Sequence, residues 1–232
     1  MGGRPAGDHA DEIARGNGVR GCPAEPFALV LTIDPNDPVE TFGGANSDTS
    51  GPSGSWDQSF FPPSRPIESR ADVLTFTTEP LTEPAYVVGR VTARVWINPD
   101  TPDLDLSVRL TDVYPNGKSM LIIDGIQRAR MRCGDDVECF LTPGVPTEIE
   151  VDLWSTAKIF ARGHRIRVAI AGTNWDRFEI NSNDGGDLND PSYVVANPEI
   201  LFGPDHPSAI ELPISADTFN AAPRRCGRRV AP

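Results

Sequence analysis

From Asp72 onward the chain alternates between apolar and polar positions. Val91, Ala93, Val95 and Ile97 are separated by Thr92, Arg94 and Trp96, and Leu106, Val108 and Leu110 by Ser107 and Arg109. Ile149, Val151 and Leu153 alternate with Glu148, Glu150 and Asp152, and Ile166, Val168 and Ile170 follow Arg165 and flank Arg167. Successive side chains of a strand point to opposite faces, so each run predicts a strand with one face in a core and one polar face. Val73–Thr77 and Ala209–Ile214 predict two more strands. Tyr114-Pro115-Asn116-Gly117 predicts a hairpin turn, with Pro setting the entry and Gly accepting a positive φ at its end. Met120–Ile123 is then the returning arm. Only Ser155 to Ala161 reads as helical, with Ser155 as its cap and Gly163 as its terminator. Many short strands, one short helix and no alternation of strands with helices predict an all-β fold, a β-sandwich or jelly roll.

The region before Asp72 behaves differently. Residues 1–25 are polar and Gly-rich, the composition of a disordered tail. Residues 26–70 form an extended lead-in arm: the apolar run Phe27–Ile33 docks, and Asp34–Arg70 is punctuated by Asp34-Pro35, Asp37-Pro38, Gly43-Gly44, Gly51-Pro52 and Pro62-Pro63. A loop of that length inside a compact domain implies an arm lying on a partner surface, or a linker. The sandwich is assigned to residues 71–215 and a C-terminal tail to 216–232.

Composition changes this picture in two respects. The 232 residues suffice for a core without staples, and the 21 Gly and 23 Pro fit a turn-rich fold. The formal net charge of −12 repels phosphate backbones and anionic lipid, so neither nucleic acid nor membrane is expected as a partner. Met1 to His9 contains no apolar run, so no signal peptide is read there, and no stretch is long and apolar enough for a spanning helix. Self-association into a homo-oligomer is left open.

Candidate chemistry is sparse. Gly51-Pro52-Ser53-Gly54-Ser55 falls short of G-x-S-x-G at its last position and precedes no helix, so Ser53 is not read as a nucleophile. His9, His164 and His206 are too dispersed to form a metal site. Asp103 and Asp105 could ligate calcium or form an acid–base pair. The loop carrying Asn181, Asn183, Asp184, Asp187, Asn189 and Asp190 has the oxygen-rich composition of a calcium loop, or simply of a solvated acidic one. No metal and no cofactor is expected. Cys133 and Cys139 flank an acidic loop and could close a disulfide. Cys22 and Cys226 could pair if the tails meet, which would imply an oxidising, extracytoplasmic compartment. Asn174, Trp175, Arg177 and Phe178 lie just past a strand end, where aromatics with Arg suit a protein interface first, core packing next and a sugar last.

Several strings taken in order carry a resemblance. They are Asp34–Gly44 (DPNDPVETFGG), Asp72–Leu81 (DVLTFTTEPL), Val88–Arg94, Asp103-Leu104-Asp105, Leu110–Gly117 and Asp124–Arg130. Pro143-Gly144, Val151–Ala157, Phe160, Gly163–Arg167, Asn174–Phe178 and His206-Pro207-Ser208 follow. Together they resemble the C-terminal, non-catalytic domain of the serine-hydrolase family that contains X-prolyl dipeptidyl-peptidases, cocaine esterase and α-amino-acid ester hydrolases. The likeness covers roughly residues 30 to 215. It implies a galactose-binding-like jelly roll packed against an α/β-hydrolase domain and helping to wall its active-site cleft. The family's catalytic Ser, Asp and His belong to segments upstream of the region matched, so no catalytic residue is carried over. The Asp103–Asp105 and Trp175–Phe178 loops would lie near the partner domain. Leu104-Asp105-Leu106 departs from the family's Thr-Asp-Phe, Trp175 stands where Phe is common, and the Cys133–Cys139 insertion is atypical. A free-standing carbohydrate-binding module, using Trp175 or Trp154, is the alternative.

Overall fold

A computed structural model describes residues 25–44, 54–187 and 192–214. The predicted tails, Ser53, Cys22, Cys226, Asn189 and Asp190 lie outside these residues. The strands, in chain order, are β1 (Phe27–Val30), β2 (Leu74–Thr77), β3 (Ala85–Asn98), β4 (Asp105–Val113), β5 (Ser119–Arg128), β6 (Thr147–Phe160), β7 (Arg165–Ala171), β8 (Glu199–Phe202) and β9 (Ala209–Glu211). They form two antiparallel sheets. Sheet 1 runs β1-β8-β3-β6, with β9 also on β3, and sheet 2 runs β2-β7-β4-β5. The molecule is therefore a β-sandwich. Among the described residues no helix is long and apolar enough to cross a membrane.

The alternating residues behave as expected on their inner faces. Val91, Ala93, Val95 and Ile97 of β3 meet Leu106, Val108 and Leu110 of β4 in one core with Ile149, Val151 and Leu153 of β6. The hairpin is also present: Tyr114 N–H donates to the Lys118 carbonyl at 2.8 Å, and Gly117 takes φ +89.

Three features differ from the sequence reading. First, Ser155–Ala161 is not a helix. It continues β6, pairing Ser155↔Arg90, Ala157↔Val88 and Ile159↔Tyr86. A bulge causes the misreading: Leu153 and Trp154 together oppose Val91, and Trp154 takes φ +70. The extra residue shifts the inward set from 149, 151 and 153 to 156, 158 and 160, and the broken alternation imitates a helical period. Gly163 (φ +82) belongs to the turn into β7. Second, β8 carries no sequence signal of its own. Four residues suffice because β1 and β3 flank it, with Ile200 and Phe202 buried.

Third, the arm packs on the chain's own sheet. All nine residues of β4 are buried. Its inner positions face the core. Its polar positions Ser107, Arg109 and Thr111 lie on the opposite face, beneath residues 39–42 and 58–73. There Val39, Phe42, Ile67 and Val73 pack on Ala169 and Ala171 of β7. Polar side chains buried between arm and sheet require partners. Glu68 supplies one for Thr111, accepting from it at 3.4 Å and from Arg167 and Ser119 at 2.6 Å each. Burial pushes the Glu68 carboxyl above its ordinary value, against the pull of Arg167. Arg70, 5% exposed, is clamped to Asp72 through two nitrogens at 2.8 and 2.5 Å.

Candidate functional site

The residues singled out from sequence fall into two groups. Asp103, Asp105 and Asn174 are buried at 0, 3 and 1% exposure. Trp175, Arg177 and Phe178 reach the surface above them, with Trp175 42% exposed.

The first group builds two buried polar clusters. Asp103, at the approach to β4, accepts from the Arg130 backbone N–H at 2.8 Å and from Arg130 Nε at 2.6 Å. Asp105, the first residue of β4, accepts from Arg128 Nε and Nη2 at 3.0 and 3.1 Å. Asn181 Nδ2 joins the two carboxylates, donating to each at 2.8 Å. Burial raises the Asp105 carboxyl, opposed by the Arg128 hydrogen bonds and charge and by Asn181. These carboxylate oxygens already receive guanidinium and amide donors, which suits a structural tie rather than proton transfer. Arg130 also donates to the Gly186 carbonyl at 2.8 Å and Arg128 to that of Glu179 at 3.2 Å. The 179–186 loop is thereby tied to β4 and β5. Asp184 accepts from Ser182 at 2.5 Å and from the Gly186 N–H at 2.8 Å; those bonds hold its carboxyl below the ordinary range. Among the described residues, no group of three or more His, Cys, Asp or Glu side chains is placed to hold a metal ion.

The second cluster centres on Asp124 of β5, which sequence reasoning did not single out. Its carboxylate accepts from Asn174 Nδ2 at 2.7 Å and from Arg177 Nη1 at 3.0 and 3.1 Å. Asn174 Oδ1 accepts from Arg109 Nη2 at 2.7 Å, and Arg109 also donates to the Glu40 carbonyl at 3.3 Å. Full burial lowers Arg109 to about 10. Gly44, at φ +76, passes so close that a Cβ there would stand 2.7 Å from Asp124 Oδ1. Trp175 exchanges backbone bonds with the arm: its N–H donates to the Val39 carbonyl at 2.9 Å, and its carbonyl accepts from the Thr41 N–H. Arg177 lies over the Phe178 ring at 4.9 Å. The Trp175–Phe178 surface is thus fixed from beneath by β4, β5 and the arm together. Arg109 stands in a strand that is buried along its whole length, and a charge there needs a buried partner.

Cys133 and Cys139 are joined in a disulfide. The loop it closes reaches Arg130: Cys139 N–H donates to the Arg130 carbonyl at 2.6 Å, Glu138 accepts from Arg130 at 3.3 Å, and Arg132 donates to the Cys139 carbonyl. Replacing Cys133 by Ser is expected to cost about 2 kcal/mol, the low end of the usual range because the closed loop is short. Hydrogen exchange should then rise over residues 131–140 and 184–187, while β4 and β7 remain protected. Unchanged exchange at 184–187 would show that the disulfide loop does not support the Arg130 tie.

His164 Nδ1 lies 2.8 Å from Asp112, which also pairs with Lys158 Nζ at 2.9 Å. Among the described residues no hydrogen bond joins His164 to a serine or cysteine, so this His–Asp contact does not extend to a nucleophile. His206 packs against the Trp96 ring at 5.0 Å. Elsewhere, Trp56, Phe60, Phe61, Asn116 and Lys118 line an open cleft of about 760 Å³.

Comparison with known proteins supplies the context. Residues 30–211 match the X-Pro dipeptidyl-peptidase C-terminal non-catalytic domain. Cocaine esterase of Rhodococcus sp. (strain MB1 Bresler) is 37% identical over 184 residues, covering 78% of this chain and 31% of that protein. An aminopeptidase from a marine sediment archaeon (Thaumarchaeota) superposes with a TM-score of 0.73 at 26% identity, covering 83% of this chain and 34% of the other. An α-amino acid ester hydrolase does so with a TM-score of 0.69 at 26% identity, covering 81% and 32%. The chain thus spans about a third of the length of these relatives.

Proposed function

The chain belongs to the X-Pro dipeptidyl-peptidase C-terminal non-catalytic domain family, and on that footing we propose that it is the accessory β-sandwich of a serine hydrolase. It packs on an α/β-hydrolase domain and helps to wall the active-site cleft. The observation that carries this reading is the extent of the likeness: nearly the whole sandwich is matched, and what it matches is about a third of larger hydrolytic proteins. We read the sandwich as a galactose-binding-like jelly roll. Trp175, Arg177 and Phe178 face the hydrolase, and Asp103, Asp105 and Asn174 hold those loops in place. The hydrolase would attack an ester or an X-Pro amide through a serine nucleophile and a tetrahedral intermediate, whereas this chain supplies rigidity and surface.

The purified chain should show no turnover of a simple aryl ester and no labelling by a fluorophosphonate probe. A polypeptide or segment associated with it in its own host should react with that probe. Ester turnover by the chain alone, abolished by Ser53→Ala, would overturn the assignment.

The cleft of Trp56, Phe60 and Phe61 favours a second reading, a carbohydrate-binding module, because aromatic faces beside Asn116 and Lys118 suit a sugar ring. Glycan-array binding lost on Trp56→Ala would support it, and an array without hits would remove it.

A further inference from the structure

We infer that Trp154 is a docking knuckle that inserts into an apolar pocket on the hydrolase body; this rests on the accessory-domain reading above. Trp154 is 76% exposed, the highest exposure of any large apolar side chain among the described residues. It is presented rather than left over. A bulky residue at φ +70 is unusual, and the bulge of β6 turns Trp154 out of the strand's alternation. Its backbone N–H is held by Asp152 Oδ1 at 2.9 Å, and Asp152 is gripped by Arg90 through two nitrogens at 2.9 and 2.5 Å. From below, β5 presses against the bulge: a Cβ on Gly125 would stand 2.3 Å from the Asp152 carbonyl oxygen and 3.1 Å from Leu153 Cα.

The same turn of β5 connects this knuckle to the Asp124 cluster. Gly125 touches the bulge, and Asp124 beside it anchors Asn174 and Arg177. An apolar strip continues from Trp154 along sheet 1, where exposed Val88 and Tyr86 stand opposite Ala157 and Ile159. The charged part of that face, by contrast, is satisfied within the chain: Arg94 lies within 3.4 Å of Glu148, Glu150 and Glu211. The outer face of sheet 2 is covered by the arm.

The occupant follows from size and charge. The relatives carry about twice the matched length in additional polypeptide, which is sufficient to supply a pocket. A second copy would bring another net charge of −12 to the same contact. An indole on a rigid base is the side chain most favoured as an interface anchor.

The test places the photo-crosslinking residue benzoylphenylalanine, one position at a time, at Trp154, Trp175 and Val137 of the chain as its own host produces it. After irradiation, cross-linked peptides are mapped and the joined polypeptide is probed with a fluorophosphonate. The expected result is a link from 154 to a segment of a fluorophosphonate-reactive polypeptide, and none from Val137, which is exposed on the disulfide loop. A link from 175 without one from 154 overturns the knuckle and leaves the accessory-domain reading standing. A link from 154 to another copy of this chain also overturns it. No link from any position overturns both. In parallel, Trp154→Ala should keep the thermal midpoint of the wild type and weaken association with the hydrolase at least about tenfold, as loss of an interface anchor does. Undiminished association would overturn the knuckle.

Discussion

Replacing Asp103 by alanine is expected to destabilise the fold by about 3 kcal/mol, the lower end for stripping a buried charge of its partner, because Glu138 still reaches Arg130 at 3.3 Å. Asp103 has no exposed surface and Arg130 is 2% exposed, so Arg130 would lose its buried carboxylate where water cannot replace it. The Arg130 backbone N–H and one hydrogen bond of Asn181 would be lost with it. Urea denaturation should show the midpoint falling with the slope unchanged. A second variant separates pairing from packing. Asp103→Ala combined with Arg130→Met removes both charges, and should recover part of the loss because no uncompensated charge remains. If the double variant is as unstable as the sum of the singles, the two residues are independent and the cluster is not the tie described above. Hydrogen exchange should rise first over residues 179–186, the loop that Arg130 and Arg128 hold by its carbonyls.

The legible part of this molecule was the part written by the hydrophobic period. Val91 to Ile97, Leu106 to Leu110, Ile149 to Leu153 and Ile166 to Ile170 all face one core. The period failed where a single residue was inserted: the bulge at Trp154 reversed the faces, and Ser155–Ala161 then looked helical although β6 pairs with β3 as far as Phe160. It also misled at β4. Ser107, Arg109 and Thr111 read as a solvent face, but the sequence pattern cannot distinguish water from a polar layer under an arm 70 residues upstream in the chain. Arg109, buried on the face opposite Leu106, Val108 and Leu110, is explained by Asn174 and Glu40, which come from elsewhere in the chain.

The site was half legible for a related reason. The strings that carried the family resemblance are largely the buried polar ones. Asp103-Leu104-Asp105 and Asp124–Arg130 supply both clusters, and Asn174 and Arg177 complete the second. Their residue types suggested calcium, acid–base or interface chemistry, and the structure shows Asp103, Asp105 and Asn174 hydrogen-bonded to neighbouring segments. The partners Arg128, Arg130 and Asn181 could not be paired in advance, because hydrogen bonds across 20 to 80 residues leave no local pattern.

Gly125→Val is the substitution that joins these strands of argument, and it should destabilise the fold by about 3 kcal/mol, at the upper end for overpacking. The glycine has an ordinary φ, so the cost is not conformational. It arises because the carbonyl of Asp152 and the Cα of Leu153 occupy the space a Cβ needs, at 2.3 and 3.1 Å. Both are backbone, in a bulge already fixed by Asp152, Arg90 and Trp154, so no side chain can rotate aside. β5 must lift from β6, and lifting moves Asp124 away from Asn174 and Arg177. The expected signature is therefore double. The melting midpoint falls, and exchange rises together in the β6 bulge and in residues 174–178, which are remote in sequence but share β5 as a floor. Gly44→Ala provides the comparison, since it crowds Asp124 from the arm side without touching β6. It should loosen 174–178 alone. If Gly125→Val disturbs the bulge and leaves 174–178 as protected as before, the knuckle and the Asp124 cluster are separate structures, and the surface proposed for the hydrolase divides into two.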